Sequence, residues 1–359
     1  MFCKDLDTLS TELHKLSEGI AIVLAAEKDF DYNEFQIAIK ATSIPIVGAF
    51  FPGVIAESEL HYTGFIIQYI NSPFELQVFD LNSKDPKFLK GTISTGTGLI
   101  LMDGLANGNQ AFLNSVFYEY GSEFRFVGSG AGSLDLIQKP CVFDKDGIYT
   151  DKALIILTPM EVAIGLQHGY DRIAGPFVAT RTEGSKIIEL NWENAFDVYA
   201  DSVNEDSFKT LTKKDFFDLS KGYPLGLSRK GHEDIVRDPI SVDEFGVLHC
   251  IDDVPENAPL YVLKGENDKL IEAAGSSCQE ALDNLKGTPV NCLLIDCVTR
   301  VLYLGDEFTK EIATATRKVH SKYSDVLVEG VLSMGEISTF KDGRLEIYNK
   351  TFLTSMLYV

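Results

Sequence analysis

Apolar positions recur along this chain at two spacings. Leu6, Leu9, Leu13 and Leu16 repeat at three- and four-residue steps and predict an amphipathic helix over residues 4–18. "NEFQIAIKAT", "NQAFLNSVFYEYG", "ENAFDVYADSV" and "EFTKEIATATRKVHSKY" carry the same period, and "NDKLIEAAGSSCQEALDNL" carries it with an expected break at Gly275. "GIAIVLAA", "PIVGAFF", "GLILMDGL" and "NCLLIDC" are short continuous apolar runs and predict buried strands. "GFIIQYI" and "FELQVFDL" alternate as half-buried strands do. "CVFDKDGIYTDKALIILTP" predicts a hairpin turning at Asp146-Gly147, and "PFVATRTEGSKIIELNW" another turning near Glu183-Gly184. "DVLVEGVLSMGEIST" and "LEIYNKTFLTSMLYV" close the chain with strands. Strands, hairpins and helices alternate in both halves. The expected class is α+β: two α/β-layered domains with mixed, largely antiparallel sheets.

A polar, turn-rich stretch, "DSVNEDSFKTLTKKDFFDLSKGYPLG", sets the expected division near residues 200–225, into domains 1–210 and 211–359. A length of 359 residues exceeds what one core usually serves, which agrees with two domains. The formal net charge of −21 makes nucleic acid and anionic membrane surfaces poor partners. No apolar run approaches the roughly 18 residues of a membrane span. The N-terminus, "MFCKDLDTLSTELHKL", is not a secretory signal. Six cysteines without a CxxC pair read as reduced, mostly buried thiols of a cytoplasmic protein.

The usual catalytic and metal patterns fail. The histidines at 14, 61, 168, 232, 249 and 320 are scattered, and His232-Glu233-Asp234 reads as a solvated loop rather than a ligand set. "GSGAGS" places Ser129 off register for a nucleophile elbow, and it lacks the helix that a dinucleotide fingerprint needs. No Gly-Lys-Ser/Thr loop is present. What remains is a set of glycine turns after buried strands, where main-chain N–H groups can approach a small ligand. Gly128, Ser129 and Gly130 form one. Gly330 and Gly335 bracket another, which runs into Glu336, and Gly48 and Gly53 repeat that five-residue interval upstream. The alternative for each is a tight turn between packed strands.

The order of these motifs over residues 20–357 resembles the FIST family, named for F-box and intracellular signal transduction proteins. "PIVGAFFPGVIAES" is similar to the family's GxxxxGE turn, with Val54 where Glu is usual. "LILMDGL" followed by "RFVGSGAGSLD", and "GLQHGYDRIAGPFVATRTEGSKIIELNWENAFDVY" with Asn191 in place of Asp, resemble the rest of the N-terminal region. "LLIDCVTRVLYLGDEFTKEI", "VEGVLSMGEISTF" and "LEIYNKTFLTSML" resemble the C-terminal region.

The resemblance implies sensing rather than catalysis: a cytoplasmic small-ligand module taking an amino-acid-like metabolite. Its output would pass in trans to a signalling protein such as a kinase or a cyclic-nucleotide enzyme. On that basis Arg300, Gly335, Glu336, Asn349 and Thr351, with Gly128, Ser129 and Gly130, are the expected ligand-binding residues. Arg300 would pair a carboxylate and Glu336 an ammonium across one cleft. A purely structural Arg300–Glu336 ion pair is the competing expectation. No cofactor and no metal are expected. Some family members bind haem and sense nitric oxide, which makes a haem on His168 the alternative. An enzyme of unknown reaction is the third possibility.

Overall fold

Three stretches of the chain repeat one topology. Each is a strand, a helical crossover, a parallel strand, a hairpin and a returning antiparallel strand. The first unit runs through Ile20–Ala26, helix Tyr32–Lys40, Ile46–Phe51, hairpin Val54–Ala56 with Glu59–His61, and Phe65–Ile70. The second runs through Gly96–Asp103, helix Asn109–Tyr120, Phe124–Ala131, hairpin Val142–Asp144 with Ile148–Tyr149, and Lys152–Thr158. The third runs through Cys292–Cys297, helices Val298–Leu304 and Phe308–His320, Val328–Ser333, hairpin Glu336–Thr339 with Leu345–Tyr348, and Phe352–Tyr358. The computed structural model describes residues 1–28, 31–229, 233–339 and 343–359. His232 lies outside them.

The hairpins are exchanged in a ring. The first unit's hairpin pairs with Val328–Ser333 of the third unit. The third unit's hairpin pairs with Phe124–Ala131 of the second, and the second unit's with Ile46–Phe51 of the first. One further strand completes each sheet on its other side: Phe2–Cys3, Glu75–Asp80 or Glu161–Gln167. The result is three six-stranded sheets, each with one parallel pair in an otherwise antiparallel ladder. The mixed, largely antiparallel α+β class is as expected.

Register explains the repeated glycines. Gly48 opposite Val23, Gly128 opposite Ile100 and Gly330 opposite Leu294 occupy the same rung of the three parallel pairs. A Cβ there would lie 1.9, 2.0 and 2.4 Å from the carbonyl oxygen of the opposite residue. Close approach of the backbones therefore demands glycine at that rung in all three units. Leu24, Leu101 and Ile295 also occupy matching positions. Together they line a cavity of about 40 Å³ between the three sheets, to which Gln68, Ser129 and Asn291 add polar groups.

Between the second and third units the chain makes an inserted module over residues 171–264. One of its sheets orders Asp171–Val178, Pro259–Lys264, Leu225–Leu227 and Ile235–Arg237. The other orders Arg181–Glu183, Lys186–Leu190, Leu248–Cys250 and Pro239–Val242. Helix Ala195–Ser207 covers a separate apolar core that includes Tyr199, Val203, Leu248 and Leu260. The expected division at 210/211 falls inside this module, and strands from both sides of it share both sheets.

Three local features complete the fold, the last of them against expectation. "DIVRDPISV" is two strands in two sheets, parted at Asp238. The segment after Cys297 turns directly into a short helix that carries Arg300. Helix Asn267–Asn284 runs unbroken through Gly275. A Cβ at Gly275 would stand 3.0 Å from the Thr314 methyl, so the glycine serves close helix–helix packing.

Candidate functional site

The third unit carries charge where the other two carry hydrocarbon. Val54, Val142 and Glu336 are equivalent: each opens its exchanged hairpin and faces the same rung of the neighbouring sheet, at Val331, Ala49 and Ser129 respectively. Only the third copy is a carboxylate. Glu336 is fully buried. Its Oε2 accepts from the Thr351 hydroxyl at 2.7 Å and from the Thr351 N–H at 3.2 Å, while its Oε1 has no hydrogen-bond partner. Burial pushes its pKa up to about 8, against the smaller opposing pull of the Thr351 bonds and the Arg300 charge.

Arg300 is also fully buried, and its partners are not the expected ones. Nε donates to Glu311 Oε1 at 3.1 Å, Nη1 to the carbonyls of His168 and Lys350 at 2.7 and 3.1 Å, and Nη2 to the Leu270 carbonyl at 2.9 Å and to Glu311. All five guanidinium N–H groups are thereby committed. Asp296 stands 3.4 Å from Nε. Burial works against this charge, but Glu311 and Asp296 beside it hold its pKa above the ordinary arginine value. Arg300 and Glu336 feel one another electrostatically without a hydrogen bond between them, and both are closed from solvent rather than set along an open cleft.

The remaining expected residues gather around the same hairpin. Ser129 lies opposite Glu336 in the sheet, and its hydroxyl donates to Ser333 Oγ at 2.9 Å. The Gly130 N–H donates to the Gly335 carbonyl at 2.8 Å, and the Gly335 N–H to Ser333 Oγ at 3.0 Å. These main-chain donors are thus taken up by the protein itself. Gly335 has φ 129°, and a Cβ there would meet the Ile347 side chain at 2.7 Å. Gly128 is a mid-strand packing glycine that also borders the cavity between the sheets. Asn349 donates to Asp252 of the inserted module.

Lys350 and three further acids complete the cluster. Lys350 is fully buried with a left-handed φ of 54°, and its Nζ lies 3.0 Å from Asp238 and donates to the Lys221 carbonyl at 2.9 Å. Burial opposes its charge, and Asp238 more than restores it. Burial raises the pKa of Asp296, aided by Glu311, and burial also raises Glu311. Both Asp296 oxygens, Glu311 Oε2 and the Tyr170 hydroxyl are buried without a hydrogen bond.

Sequence reasoning passed over Asp296, Glu311, Lys350 and Asp238. Two of them left a trace. Asp296 is a lone acid inside "CLLIDC", and Glu311 shares the helix face of the buried Phe308, Ile312 and Ala315.

His168 is buried, and its Nδ1 accepts from the Tyr170 N–H at 2.8 Å. Burial lowers its pKa to about 4, so the ring is neutral near pH 7. Its electrostatic neighbours are Asp234, Arg300, Asp171 and Arg172. A buried imidazole ringed by charges fits a porphyrin face poorly. Among the described residues, no group of three or more His, Cys, Asp or Glu is arranged to hold a metal ion. All six cysteines are buried free thiols, and among the described residues no helix is long and apolar enough to cross a membrane.

Fold and site together define a two-part α+β protein with a charged cluster buried where the core meets an inserted module. Two family models match it, the FIST N domain over residues 19–193 and the FIST C domain over residues 195–339, and the chain belongs to the FIST family. Their junction falls inside the inserted module. FIST domains are small-ligand sensory domains of signalling proteins. No curated protein matches the chain.

Proposed function

We propose that this chain is a cytoplasmic, non-catalytic sensor of an amino-acid-like metabolite, bound through the Glu336 end of the third unit, and that it acts in trans on a signalling protein. One observation carries the reading: Asp238, Asp296, Glu311 and Glu336 are buried, and among the described residues the cations that pair with members of this set are Arg300 and Lys350. Such an imbalance is costly unless protons or a bound cation relieve it. With its pKa near 8, Glu336 holds a proton at neutral pH. A ligand ammonium would displace that proton and bring the missing positive charge. In this reading Arg300 holds the site's walls, and Thr351 and Ser129 border the ligand's polar end.

The enclosed position supplies a route for the signal. Residues 346–351 touch both the site and the module. Glu346 pairs with Arg229, Asn349 with Asp252 and Lys350 with Asp238, while Thr351 holds Glu336. A ligand reaching Glu336 must disturb this turn, and the turn holds the module.

Thermal-shift screening against amino acids and small amines tests the reading. A binder at 100 times its Kd should add roughly 2.7 kcal/mol of stability. Affinity should rise about tenfold per pH unit from pH 6 towards 8, as Glu336 gives up its proton. Binding that survives Glu336→Gln unchanged would sink the site.

A further inference from the structure

The inserted module displays aromatic side chains that its own core does not use. Trp192, the only tryptophan in the sequence, is 79% exposed, and Phe245 is 74% exposed. Their two turns are tied together. Asn194 Nδ2 donates to the Phe245 carbonyl at 2.7 Å, and the Phe196 N–H to the Gly246 carbonyl at 3.1 Å.

The backbone under Trp192 is strained. Asn191 and Trp192 have φ of 51° and 65°, consecutive left-handed residues at a position where the second is ordinarily glycine. The turn is nonetheless held firmly. Asn191 Oδ1 accepts from the Val178 N–H at 2.8 Å, and the Trp192 N–H donates to Thr180 Oγ1 at 2.9 Å. Strain maintained to hold a large apolar ring in water points to a use for that ring.

The surroundings say what kind of partner fits. Glu193, Asp197 and Glu244 are exposed on these two turns and the helix that follows the first. The nearby Lys213 is engaged, with its Nζ donating to the Glu244 carbonyl at 2.8 Å and lying 5.5 Å over the Phe196 ring. An exposed tryptophan and an exposed phenylalanine on two joined turns that also carry exposed carboxylates match a basic polypeptide segment. Apolar or guanidinium groups would anchor on the indole, and lysines or arginines would meet the carboxylates.

We propose that the Trp192–Phe245 face of the inserted module is a docking surface for a Lys/Arg-rich segment of a partner protein. This does not depend on which ligand the charged interior takes.

As the chain's only tryptophan, Trp192 reports on its own surface. Relative to free tryptophan amide, its fluorescence should be quenched more readily by caesium and less readily by iodide, because the turns around it are acidic. The docking probe is a fluorescein-labelled synthetic peptide of alternating Lys/Arg and Leu, followed by anisotropy and by tryptophan emission. Binding should shift the emission to the blue. Trp192→Ala should weaken peptide binding at least tenfold, and so should Glu193→Lys combined with Glu244→Lys. The control Glu119→Lys with Glu123→Lys moves the net charge equally at exposed sites on the second unit and should leave affinity within about twofold. All of these positions are exposed, so melting temperature and far-ultraviolet dichroism should stay those of the parent. Equal loss in the control, or no loss in Trp192→Ala, would mean that the peptide follows only net charge, and the proposal fails. A concentration-dependent blue shift of the protein alone, with dimers in sedimentation, would assign the face to self-association and overturn it as well.

Discussion

The first and third units have one topology and opposite interiors. Under helix Tyr32–Lys40 the first unit packs rings: Phe35 lies 5.4 Å from Phe50, 5.8 Å from Phe65 and 4.8 Å from Phe143, centroid to centroid. Under its helical crossover the third unit packs Asp296, Arg300 and Glu311, with Glu336 and Lys350 beyond. Asp296 stands on the rung that Ala25 fills in the first unit and Met102 in the second, and Glu336 stands where Val54 and Val142 do. An apolar solution to this fold therefore exists twice in the same molecule. Buried ion clusters seldom outdo well-packed hydrocarbon in stability. The charges of the third unit are best understood as kept for something other than holding the fold.

The largest expected effect that tests this contrast comes from Arg300→Met. Removing the guanidinium strands Glu311 and Asp296, and urea unfolding at pH 8 should show a loss of about 3–5 kcal/mol. At pH 5 the loss should be smaller, because both carboxyls accept protons readily once the cation is gone. Phe50→Ala in the first unit should cost a similar amount, about 3–5 kcal/mol, but equally at both pH values. Identical pH behaviour in the two variants would erase the distinction between the two interiors.

Next in size is Lys350→Met, which leaves Asp238 buried without its cation. Its signature should be local: faster amide hydrogen exchange in residues 221–264, with the first unit unchanged. Uniform acceleration throughout would mean that core and module open as one. A smaller effect is expected when charge is replaced wholesale. Asp296→Leu, Arg300→Met and Glu311→Leu together should return to within about 2 kcal/mol of the parent, since matched hydrocarbon often equals a buried ion cluster. A triple variant as unstable as Arg300→Met alone would show that the third unit needs its charges to fold.

At pH 5 the smallest effect is that of Glu336→Gln, and its signature is a slope with pH. The folded protein holds a proton on Glu336 up to about pH 8, whereas a free glutamate loses it near 4.5. This group's contribution is therefore full below about pH 4.5 and is lost as pH rises through about 8. Glu336→Gln should flatten that part of the stability–pH curve while changing little at pH 5. An unchanged slope would place the titration on another group.

Much of this molecule was legible from periodicity. Both predicted hairpins turn at the predicted residues, Asp146-Gly147 and Glu183-Gly184, because glycine, acid and apolar alternation are local signals. The exchange of hairpins was not legible. The strand around Val54 reads the same whether it pairs within its own unit or with residues 330–331, far along the sequence. The division at 210/211 rested on polarity. In the structure that polar stretch, with helix Phe216–Ser220, is part of the inserted module. At the site, the five-residue glycine interval pointed to Glu336, and its neighbours Ser129, Gly335 and Thr351 were found with it. Which partners Arg300 would choose was hidden, because Glu311, Leu270 and His168 reach it from separate elements.

The ring of exchanged hairpins also sets an order on how the protein is made. All six strands of the first sheet come from residues before 150, so that sheet can be complete while the ribosome is still working. The first unit's hairpin belongs elsewhere. It must wait for Val328–Ser333, which at ordinary elongation rates means roughly 14–55 s with an unpaired edge. Strand Glu161–Gln167 waits in the same way for Phe352–Tyr358. The nascent chain thus carries sticky, half-made sheets until its last strand emerges. A prematurely terminated product should be a client of chaperones rather than a smaller folded protein.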